Sequence, residues 1–230
     1  MTQRTALAAA TRLGDRAGEA HALCGLGRAH ALVGSADESR ACLSRALLLF
    51  RDLGDDATSA QVHVHMAGAL AQQGRYRDAI SHAEQARDLF AAAGHRNGQA
   101  GAVNNIGWYR LLMGDHDQAV AGARAAVHAF RELGDRHGEA IALDSLGTAY
   151  HHLGQHAQAL ACCQRALAVV RELGDRSAQA GILFNVGDAQ HAAGDDDAAR
   201  AAWTEALTTL DEQNPVQVGR LRARLSTLRR

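Results

Sequence analysis

Residues 134–174 read GDRHGEAIALDSLGTAYHHLGQHAQALACCQRALAVVRELG, and this pattern recurs along the chain every 40 residues. Two glycine columns keep the spacing throughout, namely Gly14, Gly54, Gly94, Gly134 and Gly174, and Gly34, Gly74, Gly114, Gly154 and Gly194. Two alanine columns, which start at Ala20 and Ala46, also recur five times. A fixed period of this length predicts a repeat architecture.

Each repeat predicts two helices. In the quoted stretch, apolar residues such as Leu143 and Leu146 follow helical spacing and predict a helix A over about residues 137–153. Gly154 then ends this helix in the left-handed region, which glycine adopts at little cost. A second apolar stripe predicts a helix B that runs up to Gly174. No segment alternates as a strand would, so the predicted class is all-α.

Polar residues beside the glycines predict where the helices begin. The predicted N-caps of helix B are Ser35, Asp115 and Asp195, and those of helix A are Asp15, Asp135 and Asp175. A further column holds Gly27, Gly107, Gly147 and Gly187 and fails only at Ala67. We expect helices A and B to cross at this column, because a larger side chain would push their backbones apart.

The period also predicts the organisation of the chain. Residues 1–14 align with the end of helix B and are interpreted as helix B of a truncated preceding repeat. The five repeats are predicted over 15–54, 55–94, 95–134, 135–174 and 175–214. Because the chain starts inside a half repeat, one hypothesis is that it was excised from a longer protein with Met1 added.

A last helix is predicted over residues 215–230. Leu221, Leu225 and Leu228 lie on one face, with arginines elsewhere, including Arg229 and Arg230. This pattern favours a cap that packs on the last repeat and faces water on its other side. A nucleic-acid-binding arginine tail is the alternative.

The composition argues against several classes of function. A formal net charge of -1 gives no basic face for nucleic acid. No apolar stretch reaches the roughly 18 residues of a membrane helix, and no signal peptide is apparent. The four cysteines lack CxxC spacing, which favours a reducing cytoplasm. All 24 basic residues are arginine, a coding bias typical of high-GC bacteria.

The series Leu143-x-x-Leu146-Gly147-x-x-Tyr150-x-x-x-Gly154, followed by Ala159-Leu160 and Ala166-Leu167, resembles the tetratricopeptide repeat (TPR) pattern. The resemblance implies a right-handed α-solenoid of helix pairs. This repeat is longer than the family's usual length of about 34 residues, and it ends in Gly-Asp-Arg rather than proline. Long repeats of this kind are similar to those of kinesin light chains and to the C-terminal arrays of bacterial SARP and NB-ARC transcriptional regulators. In those regulators the array receives a signal or holds the NTPase in check.

The resemblance also implies that helix A of each repeat lines a concave groove. Its candidate groove residues are Arg28, His65, Asn104, Asn105, Trp108, Asp144, Ser145, Thr148, His151, Asn185, Asp188 and His191. The amides of Asn105 and Asn185 could pair with a peptide backbone, or they could simply be solvated. Trp108 is either an aromatic anchor for a partner or a residue packed against the next repeat. The family's lysine and arginine carboxylate clamp is missing.

The sequence gives little support for a catalytic or metal-binding site. His152 and His156 straddle Gly154, so solvated histidines are favoured over metal ligands there. His63 and His65 are two apart on a helix and diverge. Residues 195–197 are three aspartates without the pattern of a calcium loop, and a helix-capping turn is favoured. The sequence therefore predicts no enzyme, no cofactor and no metal site.

The leading prediction is a module that binds a protein or peptide through the helix-A groove, as the sensor or autoinhibitory region of a bacterial transcriptional regulator. The partner could be another domain of the same protein. One alternative is a scaffold that self-associates, as a homodimer formed through the open N-terminal half repeat. Another is a small-molecule or metal-responsive domain that uses the histidines around His151 and His191.

Overall fold

A computed structural model describes residues 3–210 and 215–228. Within those ranges the chain forms twelve α-helices and no strand. The helices are α1 Gln3–Leu13, α2 Arg16–Leu32, α3 Ala36–Asp52, α4 Asp56–Gln72, α5 Tyr76–Ala92, α6 Arg96–Leu112, α7 His116–Leu133, α8 Arg136–His152, α9 His156–Leu173, α10 Arg176–Ala192, α11 Asp196–Thr209 and α12 Pro215–Thr227. The predicted all-α class of repeated helix pairs is confirmed.

Three features of the sequence prediction fall outside the described ranges. These are Met1, the end of the fifth repeat at residue 214, and the terminal pair Arg229 and Arg230. None of the described helices is both long and apolar enough to span a bilayer.

The chain divides into two compact units, Met1–Met113 and Gly114–Arg230. Unit 1 contains α1 to α6, and unit 2 contains α7 to α12. In each unit every helix packs against the next one along the chain. The A helices of the five repeats are α2, α4, α6, α8 and α10, and within each unit they also contact one another: α2 contacts α4, α4 contacts α6, and α8 contacts α10. The A helices of a unit therefore lie side by side and share a face.

Glycines end the helices, as the two strict columns predict. All ten of these glycines have positive φ, between 67° and 87°. At Gly154, φ is 72° and the backbone N–H donates to the carbonyl of His151 over 2.9 Å. A side chain would strain this conformation, which explains why the residue type recurs without exception.

The predicted N-caps behave differently in the two kinds of helix. Before the A helices, Asp15, Asp135 and Asp175 each accept a hydrogen bond from the backbone N–H three residues later, over 2.8–2.9 Å. Before the B helices, only Asp195 does so among the predicted caps, accepting from Ala198 N over 3.0 Å. Ser35 and Asp115 occupy the N-cap position of their helices without a side-chain hydrogen bond.

The third glycine column marks the crossing of helices A and B. A Cβ placed on Gly147 would lie 2.6 Å from Cys163 Sγ, and one on Gly27 would lie 2.6 Å from Leu43 Cγ. A Cβ on Gly187 would overlap the indole of Trp203. In the second repeat the column holds Ala67, and the residue across the crossing is reduced to Ala83 in the same core cluster. In these four repeats the two positions are complementary in size, whereas in the third repeat the same spacing pairs Gly107 with the small Ala123.

Three repeats follow a Gly-Asp-Arg sequence, and in each of them the arginine closes the hairpin. Arg16 pairs with Asp52 over 2.5 Å, and Arg136 pairs with Glu172 over 2.7 Å. Arg176 instead donates to the carbonyl of Thr209 over 3.1 Å. Each contact links the start of helix A to the end of helix B in one repeat. The two ion pairs are exposed to solvent, so they contribute little to the stability of the fold.

Candidate binding groove

The shared face of α2, α4 and α6 forms a groove of about 620 Å³ in unit 1, which we call the unit 1 groove. Gln3 of α1 lies at one end of it, and Asn105 of α6 lines the other. Because three successive A helices contribute to it, the groove runs across the helices rather than along one of them. Packed helices lie about 8–10 Å apart, so the groove spans roughly 20 Å.

Small residues leave room above part of this surface. Gly101 lines the groove, and a Cβ added there would meet no atom within 4 Å. At Gly25, an added Cβ would meet the side chain of Gln3 at 2.7 Å. Open space over Gly101 allows the backbone of a ligand to approach α6 closely.

Hydrogen-bonding groups line the groove without any acidic residue. Its polar side chains include Gln3, Thr58, Gln61 and Asn105, which together supply donors and acceptors. Arg28 is the arginine of the lining, and no aspartate or glutamate takes part in it. The surface is therefore suited to hydrogen bonding with a polar backbone, with a positive charge at the α2 side.

His65 is held neutral in this setting. Burial, and to a smaller extent the nearby Arg28 guanidinium, together lower the pKa of His65 to about 4. The Nε2 atom of His65 lies 3.4 Å from Nε2 of Gln61, four residues earlier on the same helix. At neutral pH the ring therefore offers one hydrogen-bond donor and one acceptor.

The predicted site residues of unit 1 separate into two groups. Arg28, His65 and Asn105 line the unit 1 groove. Asn104 is 6% exposed, and its Oδ1 has no hydrogen-bond partner. Trp108 is half-buried against the core cluster that contains Ala67 and Tyr109, so it has a packing role. Neither Asn104 nor Trp108 lines the groove.

Polar side chains of unit 2 pair with one another across the A helices. Asn185 Nδ2 of α10 donates to Asp144 Oδ1 of α8 over 2.8 Å. Burial raises the pKa of Asp144 and the hydrogen bond from Asn185 partly opposes the rise, which leaves the pKa at about 6. The amide of Asn185 therefore has a partner within the protein. Ser145 and Thr148 donate to the backbone of their own helix, to the carbonyls of Ile141 and Asp144.

Helix α12 covers the corresponding face of α10. Arg224 pairs with Asp188 over 2.9 Å, and the guanidinium of Arg220 lies 4.5 Å from the centroid of the Phe184 ring. The cavity beside Phe184 has a volume of about 10 Å³. That is no more than the space of a single water, so α12 fills this part of the face. The sequence pattern identified α12 as a cap but did not indicate these arginine contacts.

His151, His152, His156 and His191 of unit 2 lie at or near helix ends. The His151 ring lies 5.6 Å from that of His152 and 5.5 Å from that of His156, between centroids. Burial lowers the pKa of His151, and His152 lowers it further, while Asp188 acts in the opposite direction. His191 Nδ1 lies 2.6 Å from Asp196 Oδ1. No three His, Cys, Asp or Glu side chains are arranged to hold a metal ion within residues 3–210 and 215–228.

Comparison with known families finds one profile, described as a tetratricopeptide repeat, that matches residues 20–92, 58–132 and 138–212. Together these matches extend over most of the chain. No curated protein matches the sequence significantly.

Several solved structures have a similar fold. BtubC (BKLC) from P. vanneervenii is 20% identical, with a TM-score of 0.76, 97% of this chain covered and 89% of that one. A Rap protein complexed with competence and sporulation factor is 16% identical, with a TM-score of 0.69 and coverage of 94% and 64%.

A third similar structure comes from Pyrococcus horikoshii. It is a signal transduction ATPase with numerous domains that carries a tetratricopeptide repeat sensor. It is 12% identical, with a TM-score of 0.69, and the match covers 93% of this chain but only 37% of that one. At these identities the likeness extends to the fold alone.

Proposed function

Because the chain belongs to the tetratricopeptide repeat family, we propose that it binds an extended segment of a partner protein in the unit 1 groove. The observation that carries the proposal is that the unit 1 groove crosses three successive A helices. Its lining includes amides, a hydroxyl and an arginine, without acidic residues. An extended chain rises about 3.3 Å per residue, so a groove of roughly 20 Å accommodates about six residues.

The chemistry of the lining indicates the kind of segment that fits. Gln61 and Asn105 each provide a donor and an acceptor, which matches the alternating N–H and C=O groups of an extended backbone. Arg28 is exposed at the groove and favours a carboxylate on the bound segment. We therefore propose a peptide that carries an acidic residue near its α2 end.

The wider role that we propose is that of a sensor or autoinhibitory region within a bacterial transcriptional regulator. The likeness in fold to the repeat sensor of a signal transduction ATPase supports this proposal. The bound segment would then be either an incoming signal or another domain of the regulator itself. Identifying the captured sequence distinguishes between these two sources.

The experiment is a screen of a six- to eight-residue peptide library, followed by fluorescence polarisation with the best binder. We expect Gln61→Ala with Asn105→Ala to weaken binding at least tenfold, because two hydrogen-bonding partners of the backbone are removed. Gln164→Ala is the matched control, since Gln164 is an exposed amide on the B helix α9. Equal affinity of the groove variant and the control would contradict the proposal.

A further inference from the structure

His63 of α4 occupies a core position that is apolar in the other repeats. At multiples of 40 residues from it lie Leu23, Leu143 and Leu183, which are 4%, 1% and 2% exposed. His63 is equally enclosed, at 1% exposure. The second repeat therefore buries an imidazole where three other repeats bury leucine.

A second histidine faces it from helix B of the same repeat. His63 Nδ1 lies 2.9 Å from Nδ1 of His82 on α5, with the ring centroids 5.1 Å apart. The residues that correspond to His82 in the first, fourth and fifth repeats are Cys42, Cys162 and Ala202. Both members of the pair thus replace small or apolar residues at one place in the core.

The neighbouring arginine fixes the protons of the pair. Arg51 Nη2 of α3 lies 3.4 Å from His63 Nε2, and a guanidinium can only donate. His63 must then accept at Nε2 and carry its hydrogen on Nδ1, which donates to the bare Nδ1 of His82. Two neutral rings satisfy this arrangement and two charged rings do not.

Adding a proton to either ring breaks the network. If His82 gains a proton on Nδ1, two N–H groups face each other over 2.9 Å. If His63 gains one on Nε2, this N–H and its positive charge face the Arg51 guanidinium. In the first case a half-buried cation and in the second a fully buried one loses a hydrogen-bonding partner, which is costly away from water.

The other charged groups around the pair do not offset this cost. Burial lowers the pKa of His82, while Asp78 opposes this shift and Arg75 adds to it. Asp78 and Arg75, both close to the start of α5, pair with each other over 2.6 Å. On α6, Tyr109 stays neutral because burial raises its pKa. Burial, then His82 and then Arg51 lower the pKa of His63 to about 4. At the cavity that His82 lines, the α3 residues Asp37 and Arg40 pair over 2.7 Å.

We propose that the His63–His82 pair is an acid-responsive element, which holds α4 against α3 and α5 when neutral and releases it when protonated. Helix α4 contributes Thr58, Gln61 and His65 to the unit 1 groove. Acid should therefore also weaken ligand binding, and this second consequence alone rests on the proposed function.

The test measures how the free energy of unfolding changes between pH 7 and 5. The variant H63L/H82A carries the residues of the fifth repeat at both positions, and H63L/H82C carries those of the first and fourth. The slope with pH counts the protons taken up on unfolding. We expect both variants to take up one to two fewer protons than the wild-type protein, and Gln164→Ala, at an exposed site in unit 2, to take up the same number. An unchanged slope in both pair variants would overturn the proposal.

Measuring peptide affinity at pH 7 and pH 5 distinguishes the acid response of the histidine pair from its effect on binding in the unit 1 groove. We expect the wild-type protein to lose affinity at least tenfold at pH 5, and H63L/H82A to lose less, although His65 still titrates in both. If the stability slopes differ as expected but affinity shows no such difference, the acid-responsive pair stands and its link to the groove is wrong.

Discussion

The fit between the A–B crossings can be tested with a single methyl group. In Gly187→Ala the new Cβ would overlap the indole of Trp203, which has no exposed surface and donates from Nε1 to the Phe184 carbonyl over 3.2 Å. Overpacking costs about 1–3 kcal/mol, and loss of that hydrogen bond costs about 1 kcal/mol. Alanine is more favourable than glycine inside a helix by about 1 kcal/mol, which offsets part of this loss. The expected net loss is about 2 kcal/mol.

Gly181→Ala is the matched control on the same helix, α10. An added Cβ there meets no atom within 4 Å, so only the gain of about 1 kcal/mol in helix propensity applies. The two variants should therefore differ by about 3 kcal/mol in the free energy of unfolding. Urea denaturation followed by circular dichroism measures this difference.

A double-mutant cycle identifies the cause of the loss. In a Trp203→Ala background the indole is gone, so Gly187→Ala should become neutral or slightly stabilising. If Gly187→Ala is as stable as Gly181→Ala, or if its penalty persists without the indole, then the size match between helices A and B does not explain the glycine column.

Two further predictions concern unit 2. The pKa of Asp144 is raised to about 6, so the folded state favours the protonated carboxyl and the wild-type protein loses stability as pH rises from about 4 to 6. Asp144→Asn, which keeps the acceptor for Asn185, should therefore be more stable than wild type at pH 8 but not at pH 4, and equal urea midpoints at pH 8 would contradict this. Arg224→Ala leaves the poorly exposed Asp188 without its cation and should lower stability by about 1 kcal/mol. Arg222→Ala, at an exposed position on the same helix, should not change the urea midpoint.

The repeated helix pairs could be predicted from the sequence because glycine and alanine at fixed spacing act locally. Gly154 shows this most clearly, since a left-handed helix end requires only the residue itself. The helix A predicted over 137–153 is observed as Arg136–His152. The five repeat boundaries, the excised start and self-association through residues 1–14 remain predictions.

The site was less predictable because it depends on contacts between repeats. Periodicity placed Asn105 and Asn185 at equivalent positions, yet the first lines the groove and the second pairs with Asp144. Counting positions could not reveal that Asp188 is covered by Arg224, 36 residues away. The burial of Asn104 follows from neighbouring helices that a single helix pattern does not describe.

The histidine pair was missed for a related reason. Its signal was present, since His63 interrupts a column that is otherwise apolar, with leucine in three repeats and Val103 in the other. Two histidines separated by 19 residues nevertheless look unrelated until helices α4 and α5 are folded together.

The packing of helix A against helix B at their crossing limits how helices from different repeats can be recombined. A splice within the turn between helices A and B would join Ala67 to a helix that carries a residue like Trp203. Because a Cβ at position 187 would already overlap the indole of Trp203, this hybrid would clash. Shuffled libraries and evolutionary exchanges should therefore tolerate breakpoints at Gly94 or Gly174 better than at Gly74 or Gly194, so that each hairpin is inherited whole.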